Sequence, residues 1–331
     1  MRSFSLGDQH LGSRRRPLSK RFQRREIPLR PQKHKIGPFE ISINWRTRAE
    51  GWNWFQGPTG NSDYPLWDSL LRIGIGQTRE RIDWFAELEQ PSILGLPNDA
   101  VVAAPQGQLG LGANYYVANL NQVNNASVFL KQAFVDFKHL GPTRLKLGRF
   151  EYFDGTEVKP RDPTLAAVVQ TRISSRLISN FAFAAVQRSF DGGQFALNGG
   201  KNNFTFFSAR PTAGVFQVDG MPELDLEIYY GAFTRSLDTP HGSAQLRVFG
   251  LGYVDDRNTI LKTDNRPTPL RTADVDKIQL ATYGGITYRL SIPRMPASSI
   301  SWFGAFSRAV PGELSPSMQA RSSVRLAGNP Q

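Results

Sequence analysis

Residues 70–89 read LLRIGIGQTRERIDWFAELE, and the rest of the chain is organised around this stretch. Apolar side chains alternate with polar or small ones on both sides of a turn at residues 79–80. The alternation predicts a hairpin of two antiparallel strands, each with one apolar and one polar face. A tight turn would set Arg72 opposite Glu87 on the polar face, and a slip of one residue would mix the two faces. A soluble sandwich strand shows the same alternation, so the neighbouring segments are needed to choose the architecture.

The same alternation recurs along the chain and predicts eleven strands. Their expected bounds are 39–50, 70–76, 82–89, 127–138, 144–148, 181–198, 204–209, 224–233, 245–254, 277–288 and 299–306. Matching the faces of the fourth and fifth strands sets Asp136 opposite Lys146. The connections between the eleven strands alternate strictly between long and short.

This alternation of connection lengths favours one all-β architecture. An up-and-down antiparallel transmembrane β-barrel has short turns on one side of the membrane and long loops on the other. A Greek-key sandwich mixes its connection lengths. We therefore expect a membrane β-barrel. We expect it to be incomplete, because about 11 strands is an odd number and bacterial barrels close with an even one.

One loop carries the clearest helix signal in the chain. Within residues 151–179, Asp162 is a suitable N-cap and Pro163 suits the first helical position. Apolar residues then follow at helical spacing as far as Ile173. The sequence therefore predicts one short helix, in a loop that is extracellular or folded inward.

The composition excludes several classes of protein. No apolar run approaches the roughly 18 residues that a membrane-spanning helix needs. There is no cysteine, and the four histidines have no metal-ligand spacing, so we expect no cofactor and no metal. Glu87 and Glu89 could suggest a glycosidase acid–base pair, but salt-bridged walls commonly carry such pairs. Nothing in the sequence predicts an enzyme.

Charge is concentrated at the start of the chain. Residues 1–35 hold eleven of the 40 Lys and Arg residues, against Asp8 and Glu26. This segment could be a nucleic-acid or anionic-lipid arm, but a disordered basic leader is favoured, and no nucleic-acid partner is expected. No apolar core follows the basic start as in an export signal. The expected domains are the leader 1–35, a β-barrel 36–310 and an irregular tail 311–331.

Seven runs of sequence resemble the alginate-export family of outer-membrane porins. They are RIGIGQTRERIDWFAELEQP, LGLGANYY, KQAFVDF, LGRFEYFDGTEV, DPTLAAVVQTRISSRLI, RSFDGGQF and GKNNFTFFSARPTAGVFQVDG. The resemblance covers about residues 40–302 and implies a barrel of roughly eighteen strands with an aqueous lumen. The chain resembles the N-terminal and middle parts of the family, so its C-terminal strands are expected to be missing.

The resemblance also implies a function and a location. It implies an outer-membrane channel for the export or diffusion of alginate-like anionic polysaccharide or other anionic solutes. The expected partners are the lipid bilayer, the anionic solute and a periplasmic export complex. The alternative from another class is a soluble carbohydrate-binding β-sandwich, in which Ile73 and Ile75 would lie in a core against a second sheet.

The residues expected to carry this function are charged. The predicted pore-lining cations are Arg46, Arg48, Arg72, Arg144, Lys146, Arg172 and Arg176. Their predicted acidic partners are Asp83, Glu87, Glu89 and Asp136. Guanidinium groups offer bidentate contacts to the carboxylates of a polyuronate. The alternative is that these cations only pair with the acids and hold the wall together. The aromatics expected to face outward are Trp45, Trp52, Trp54, Trp84 and Trp302.

Overall fold

A single antiparallel β-sheet dominates the part of the chain that the computed structural model describes. The described residues are 32–56, 59–103, 107–239, 242–255, 279–290 and 298–309. The strands are β1 (Gln32–Ile36), β2 (Phe39–Asn53), β3 (Asp63–Thr78), β4 (Ile82–Leu94), β5 (Asn125–Ala126), β6 (Phe129–Leu140), β7 (Thr143–Phe150), β8 (Phe190–Gly199), β9 (Asn202–Pro211), β10 (Leu226–Thr239), β11 (Gly242–Asp255), β12 (Gln279–Leu290) and β13 (Ser298–Ala309).

The strands follow one another in space in the same order as in the chain. The two-residue β5 lies beside β4, and all other neighbours are consecutive and antiparallel. All eleven predicted strands are present, and β1 and β5 are additional. β1 begins within the segment that the sequence assigns to the leader, so the sheet starts at Gln32. Among the described residues β1 and β13 are the two ends of the sheet, which is therefore open.

The structure confirms one predicted register and corrects another. Asp136 lies opposite Lys146, as expected for β6 and β7. Arg72, however, lies opposite Glu89 and not opposite Glu87. The turn between β3 and β4 is wider than predicted, because the Asp83 side chain accepts a hydrogen bond from the Arg79 backbone N–H at 3.0 Å. The shift of two residues preserves which face each side chain occupies.

The predicted strand 181–198 is wrong in its first half. Only Phe190–Gly199 is extended as β8. Phe181 has a φ of +57°, a left-handed conformation that an aromatic residue rarely adopts and that interrupts an extended chain. Ala184 and Val186 are fully buried, and Val186 packs in a cluster with Tyr64 and Tyr115, so tertiary contacts override the strand pattern here.

Two short helices lie in the long connections. Helix α2 (Pro163–Val168) was predicted, and its N-cap Asp162 accepts a hydrogen bond from the Leu165 backbone N–H at 2.8 Å. A π-helical turn, Val169–Ile173, continues it. Helix α1 (Leu111–Ala118) was not predicted. No helix among the described residues is long and apolar enough to cross a membrane.

The two faces of the sheet differ in what they meet. On one face, which we call the loop-covered face, the connections 95–128, 151–189 and 212–225 pack against the strands. One cluster joins Tyr64 and Leu66 of β3 to Tyr115 of α1 and to Val186. A second joins Tyr152 and Ile178 of the 151–189 loop to aromatic side chains of the strands, which are Phe150, Phe190, Phe207, Tyr230 and Phe249.

The opposite face, which we call the apolar face, is rich in exposed hydrophobic side chains. They include Ile43, Trp45, Ile73, Ile75, Leu88, Leu147, Phe195, Phe204, Phe206 and Val248. Trp45 lies on this face as expected, whereas Trp52 packs against the buried cluster beneath α1 and was wrongly assigned outward. The side chain of Trp302 lies outside the described residues.

The close approach of β7 to β6 generates a stability prediction. Gly148 has a φ of +118°, and an added Cβ would collide with the backbone carbonyl of Ala133. We expect Gly148→Ala to lower the free energy of unfolding by about 1–3 kcal/mol, because both the strained conformation and the collision must be accommodated. Urea unfolding followed by tryptophan fluorescence measures this change. Gly199→Ala is the control, since nothing lies within 4 Å of its added Cβ. Equal effects of the two substitutions would contradict the prediction.

Candidate functional site

The charged residues predicted from the sequence gather on the loop-covered face. Those that the strands place there are Arg46, Arg48, Arg72, Asp83, Glu87, Glu89, Asp136, Arg144 and Lys146. Arg176 lies instead in the 151–189 loop, where its exposed guanidinium donates to the Thr171 carbonyl at 2.9 Å. The side chain of Arg172 is outside the described residues.

A buried ionic network lies at the centre of this face. Arg72 pairs through Nε with Glu89 at 2.7 Å and through Nη1 with Glu151 at 3.2 Å. Lys131 lies 3.8 Å from Glu89 and 3.6 Å from Glu151. Its amino group also donates to the Gln187 carbonyl. We call these five residues the central network. Two cations and two carboxylates therefore tie three strands to both ends of the 151–189 loop.

A β-bulge places Lys131 in the network. The pairing of β4 with β6 shifts between Glu87 and Leu88, and the shift leaves Lys131 without a cross-strand partner. A bulge redirects side chains, and here Lys131 points to the same face as its neighbour Gln132. The sequence predicted Arg72 as the partner of Glu87. In the structure the side-chain amide of Gln132 donates to Glu87 instead, at 3.0 Å. Lys131 is fully buried, which requires its charge to be paired.

Arg46 and Arg48 bind the backbone of the same loop. Arg46 donates to the carbonyls of Ala184 at 2.9 Å and of Ala182 and Ala185 at 3.3 Å each. Arg48 donates to the Phe183 carbonyl at 3.3 Å. Both guanidinium groups also lie close to a carboxylate of β3, Asp68, with Arg48 Nε at 2.9 Å.

A second charged group lies nearer the short turns. Arg144 forms a bidentate pair with Asp136, through Nε at 2.8 Å and through Nη2. Lys138 pairs with Asp83 at 2.7 Å. The Lys146 amino group lies 4.6 Å from the centre of the Phe134 ring, a cation–π contact. Arg144 is half exposed, so this group is open to solvent where the central network is not.

A third contact anchors the loop on β11. Arg247 Nη1 lies 2.8 Å from Glu157, and its Nη2 donates to the Tyr230 hydroxyl. The hydroxyl of Tyr152 donates to Glu157 as well, at 2.5 Å. Arg247 and Glu157 are both buried, so the 151–189 loop is attached to the sheet by ion pairs at two separate places.

Burial and neighbouring charge act in opposite directions on the loop carboxylates. Burial alone would raise the pKa of Glu151, but the charges of Lys131 and Arg72 outweigh it, and the pKa is lowered. Burial raises the pKa of Asp154, although hydrogen bonds from the backbone N–H groups of Ile178 and Leu177 partly offset this. Burial also raises the pKa of Tyr115 to about 12, so its hydroxyl stays protonated while it accepts from the Ala185 N–H.

Several residues of the site were not found from the sequence. They are Asp68, Lys131, Glu151, Glu157, Asn180, Gln187 and Arg247. Asp68 and Arg247 continue the polar alternation of β3 and β11, so periodicity could have found them. Lys131 depends on a bulge, and the four loop residues depend on how the loop folds back. No period in the sequence encodes either feature.

The ion pairs of the loop-covered face hold charged side chains in fixed positions. Among the described residues no cluster of His, Asp and Glu could hold a metal ion. Both explanations of the cations, as anion guides and as partners of the wall carboxylates, were open from the sequence. In the structure Arg72 pairs with Glu89, Arg48 with Asp68 and Arg144 with Asp136, so the pairing role is present.

Comparison with known proteins does not assign the chain to a family. No protein-family model matches the chain, and no curated protein matches it. Membership of the alginate-export family therefore stays a prediction from the resemblance of the sequence runs. Any function must be argued from the two faces of the sheet and from the charged groups that the loop covers.

The lowered pKa of Glu151 gives a prediction about acid stability. Ionised Glu151 stabilises the folded chain at neutral pH, and this contribution is lost as the pH falls through its folded pKa. We expect Glu151→Gln to cost about 1.5–3 kcal/mol of unfolding free energy at neutral pH, the range for a hydrogen bond to a charged group. The deficit should shrink toward zero in acid.

Unfolding by urea at a series of pH values measures the deficit. Glu80→Gln, in the exposed turn between β3 and β4, is the matched carboxylate control and should change stability by less than about 0.5 kcal/mol at every pH. A deficit for Glu151→Gln that stays constant with pH would show that the carboxylate does not act through its charge.

Proposed function

We propose that this chain forms the wall of an outer-membrane β-barrel channel that conducts anionic solutes, alginate-like polysaccharide among them. The observation that carries the proposal is the hydrophobic face of the sheet that has no cover. The face that loops cover holds ion pairs and buried hydrophobic clusters, and the face that nothing in the described chain covers holds exposed Ile, Leu, Phe and Trp. Water on the apolar face would make this arrangement costly, whereas lipid would make it favourable.

The position of charges on the apolar face supports a lipid-facing band. On β10 this face carries Glu227, Tyr229, Gly231, Phe233 and Arg235 in that order. The two charged residues are eight positions apart, which is about 26 Å along a strand. Strand tilt shortens the component of this distance along the membrane normal. The long side chains of Glu227 and Arg235 can extend their charged groups beyond it into water. The apolar band of an outer-membrane barrel is about 25 Å tall.

The connections also fit a membrane wall. Tight turns join β3 to β4, β6 to β7 and β8 to β9, and the long connections lie at the other ends of the strands. All the described strands belong to one sheet, whereas a soluble sandwich needs a second sheet against Ile73 and Ile75. A closed barrel requires partners for the outer edges of β1 and β13, because lipid does not satisfy unpaired backbone groups.

The anionic part of the proposal is based on the cations that remain open to solvent. Arg72 and Lys131 are paired with carboxylates in the central network, and Arg247 is buried in an ion pair with Glu157. The side chain of Arg144 is 52% exposed, and the half-buried Lys146 lies beside it on the same face. A carboxylate that passes this group meets a guanidinium and an ammonium at once. We therefore assign the anion-guiding role first to Arg144 and Lys146.

The membrane face can be tested by placing a charge on it. We expect Ile73→Lys to reduce stability in a bilayer by about 2–4 kcal/mol, the cost of a lysine near the midplane of a barrel. Leu120→Lys, at an exposed position in the 95–128 loop, is the control and should cost less than about 1 kcal/mol. Folding into vesicles of phosphatidylcholine, followed by heat-modifiable gel migration and urea titration, measures both. If Ile73→Lys instead left stability unchanged and improved solubility without detergent, the apolar face would be exposed to water.

The anion-guiding group can be tested by ion selectivity. We expect the double variant Arg144→Ala/Lys146→Ala to shift the reversal potential in a KCl gradient toward cation preference, because Asp136 and Asp83 then dominate the opening. Planar-bilayer recordings measure the shift. Arg235→Ala, an exposed arginine on the apolar face, is the control and should leave selectivity unchanged. An unchanged reversal potential in the double variant would refute the assignment.

A further inference from the structure

The 151–189 loop presents one stretch of backbone to the wall cations. We call residues 181–187 the inward segment. Four consecutive carbonyls of this segment, from Ala182 to Ala185, accept hydrogen bonds from Arg46 or Arg48. Gln187 continues the pattern, since its carbonyl accepts from Lys131 and its side-chain oxygen accepts from Arg72 at 2.7 Å. The segment therefore engages four cations of the loop-covered face.

From this geometry we infer that the inward segment competes with anionic solutes for Arg46 and Arg48. Its carbonyl oxygens occupy guanidinium N–H groups that a solute carboxylate would otherwise use. The inference rests on the proposed conduction of anionic solutes and adds a regulatory contact to it. An anion that reaches these two arginines displaces the segment, and the segment excludes anions when it is in place.

The chemistry of the acceptors favours displacement at this place and not elsewhere on the loop. A carboxylate binds a guanidinium more strongly than a neutral carbonyl does, and it can bind through both oxygens. Glu151 and Glu157 already offer carboxylates to Arg72, Lys131 and Arg247, so a solute gains little there. Arg46 and Arg48 lie beside carboxylates too, Asp68 for both and Glu50 at 3.1 Å for Arg48. Their contacts to the segment are nevertheless to neutral oxygens alone, and these are the contacts that a solute carboxylate would replace.

The segment is also partly exposed and conformationally strained. Phe183, whose carbonyl binds Arg48, is 60% exposed, so a solute can approach the contact. Phe181 has a φ of +57° at the point where the segment begins. A bulky residue in this conformation stores strain that release would relieve. Packing opposes release of the segment, because Ala184 and Val186 are buried and the Ala185 N–H donates to the Tyr115 hydroxyl.

Labelling of an introduced thiol measures release of the segment. The chain has no cysteine, so one introduced thiol reports only on its own position. Ala184→Cys places the thiol at a site with no exposure, and a maleimide reaches it only when the segment opens. The probe is trigalacturonate, a short polyuronate, added to the full chain in detergent micelles. Maltotriose is the neutral sugar control, and NaCl controls for ionic strength.

We expect trigalacturonate to raise the labelling rate of Ala184→Cys about fivefold, the change that about 1 kcal/mol produces. Maltotriose and NaCl should leave the rate unchanged. Adding Arg46→Gln and Arg48→Gln should make labelling fast without the probe and abolish its response. Arg235→Gln removes an exposed arginine of the apolar face and should preserve both the slow rate and the response. Ala232→Cys, a buried site on β10, should not respond, which excludes general unfolding.

Labelling that is insensitive to trigalacturonate when both arginines are intact would overturn the inference, even if the arginine variants fail to fold. Equal acceleration by maltotriose would overturn it too. The assay needs no transport, so its failure is distinct from failure of the proposed function. Anion-selective conductance with an insensitive thiol rejects only the competition, whereas a responsive thiol without conductance rejects the channel and keeps the competition.

Discussion

The structure depends on the pairing of charges that are withheld from water on one face of the sheet. Lys131 and Glu89 are fully buried, and an unpaired buried charge would cost several kcal/mol. Their partners come from a neighbouring strand and from a loop distant in sequence, so strand pairing and loop position must form together. Breaking one contact leaves the other charges unpaired, and this coupling holds the 151–189 loop on the sheet.

The apolar face follows from this constraint. The 151–189 connection has its ion pairs and arginine contacts on the loop-covered face, where Arg46, Arg72 and Arg247 bind it. The opposite face is left with alternating aliphatic and aromatic side chains and no cover from the described chain. The loop-covered face buries its hydrophobic clusters beneath the connections. The opposite face alone leaves large hydrophobic side chains without cover from the described chain.

Local pattern predicted the sheet and did not predict what covers it. Alternation identified the eleven main strands, and matching the faces of β6 and β7 predicted the register of Asp136 with Lys146. The irregular pairing between Phe137 and Leu140, next to the turn, was not predicted. The register of β3 with β4 was missed because Asp83 stabilises a wider turn. The path of residues 181–189 was missed because its apolar residues are buried by tertiary contact. Lys131 was missed because a bulge changes the face that alternation assigns.

The pairing also changes what a row of cations in a sequence implies about a channel. Arg46, Arg48, Arg72 and Arg144 are equivalent in the sequence, yet the structure gives them different partners. Arg72 is neutralised by Glu89 and Glu151, Arg48 by Asp68, and Arg46 and Arg48 also hold carbonyl oxygens of the loop. Electrostatic attraction of a solute depends on the charge that remains exposed after pairing, because buried pairs contribute little field at a distance. Under the proposed function, selectivity on this face therefore depends on how the loop and the carboxylates share the arginines, and not on the number of arginines.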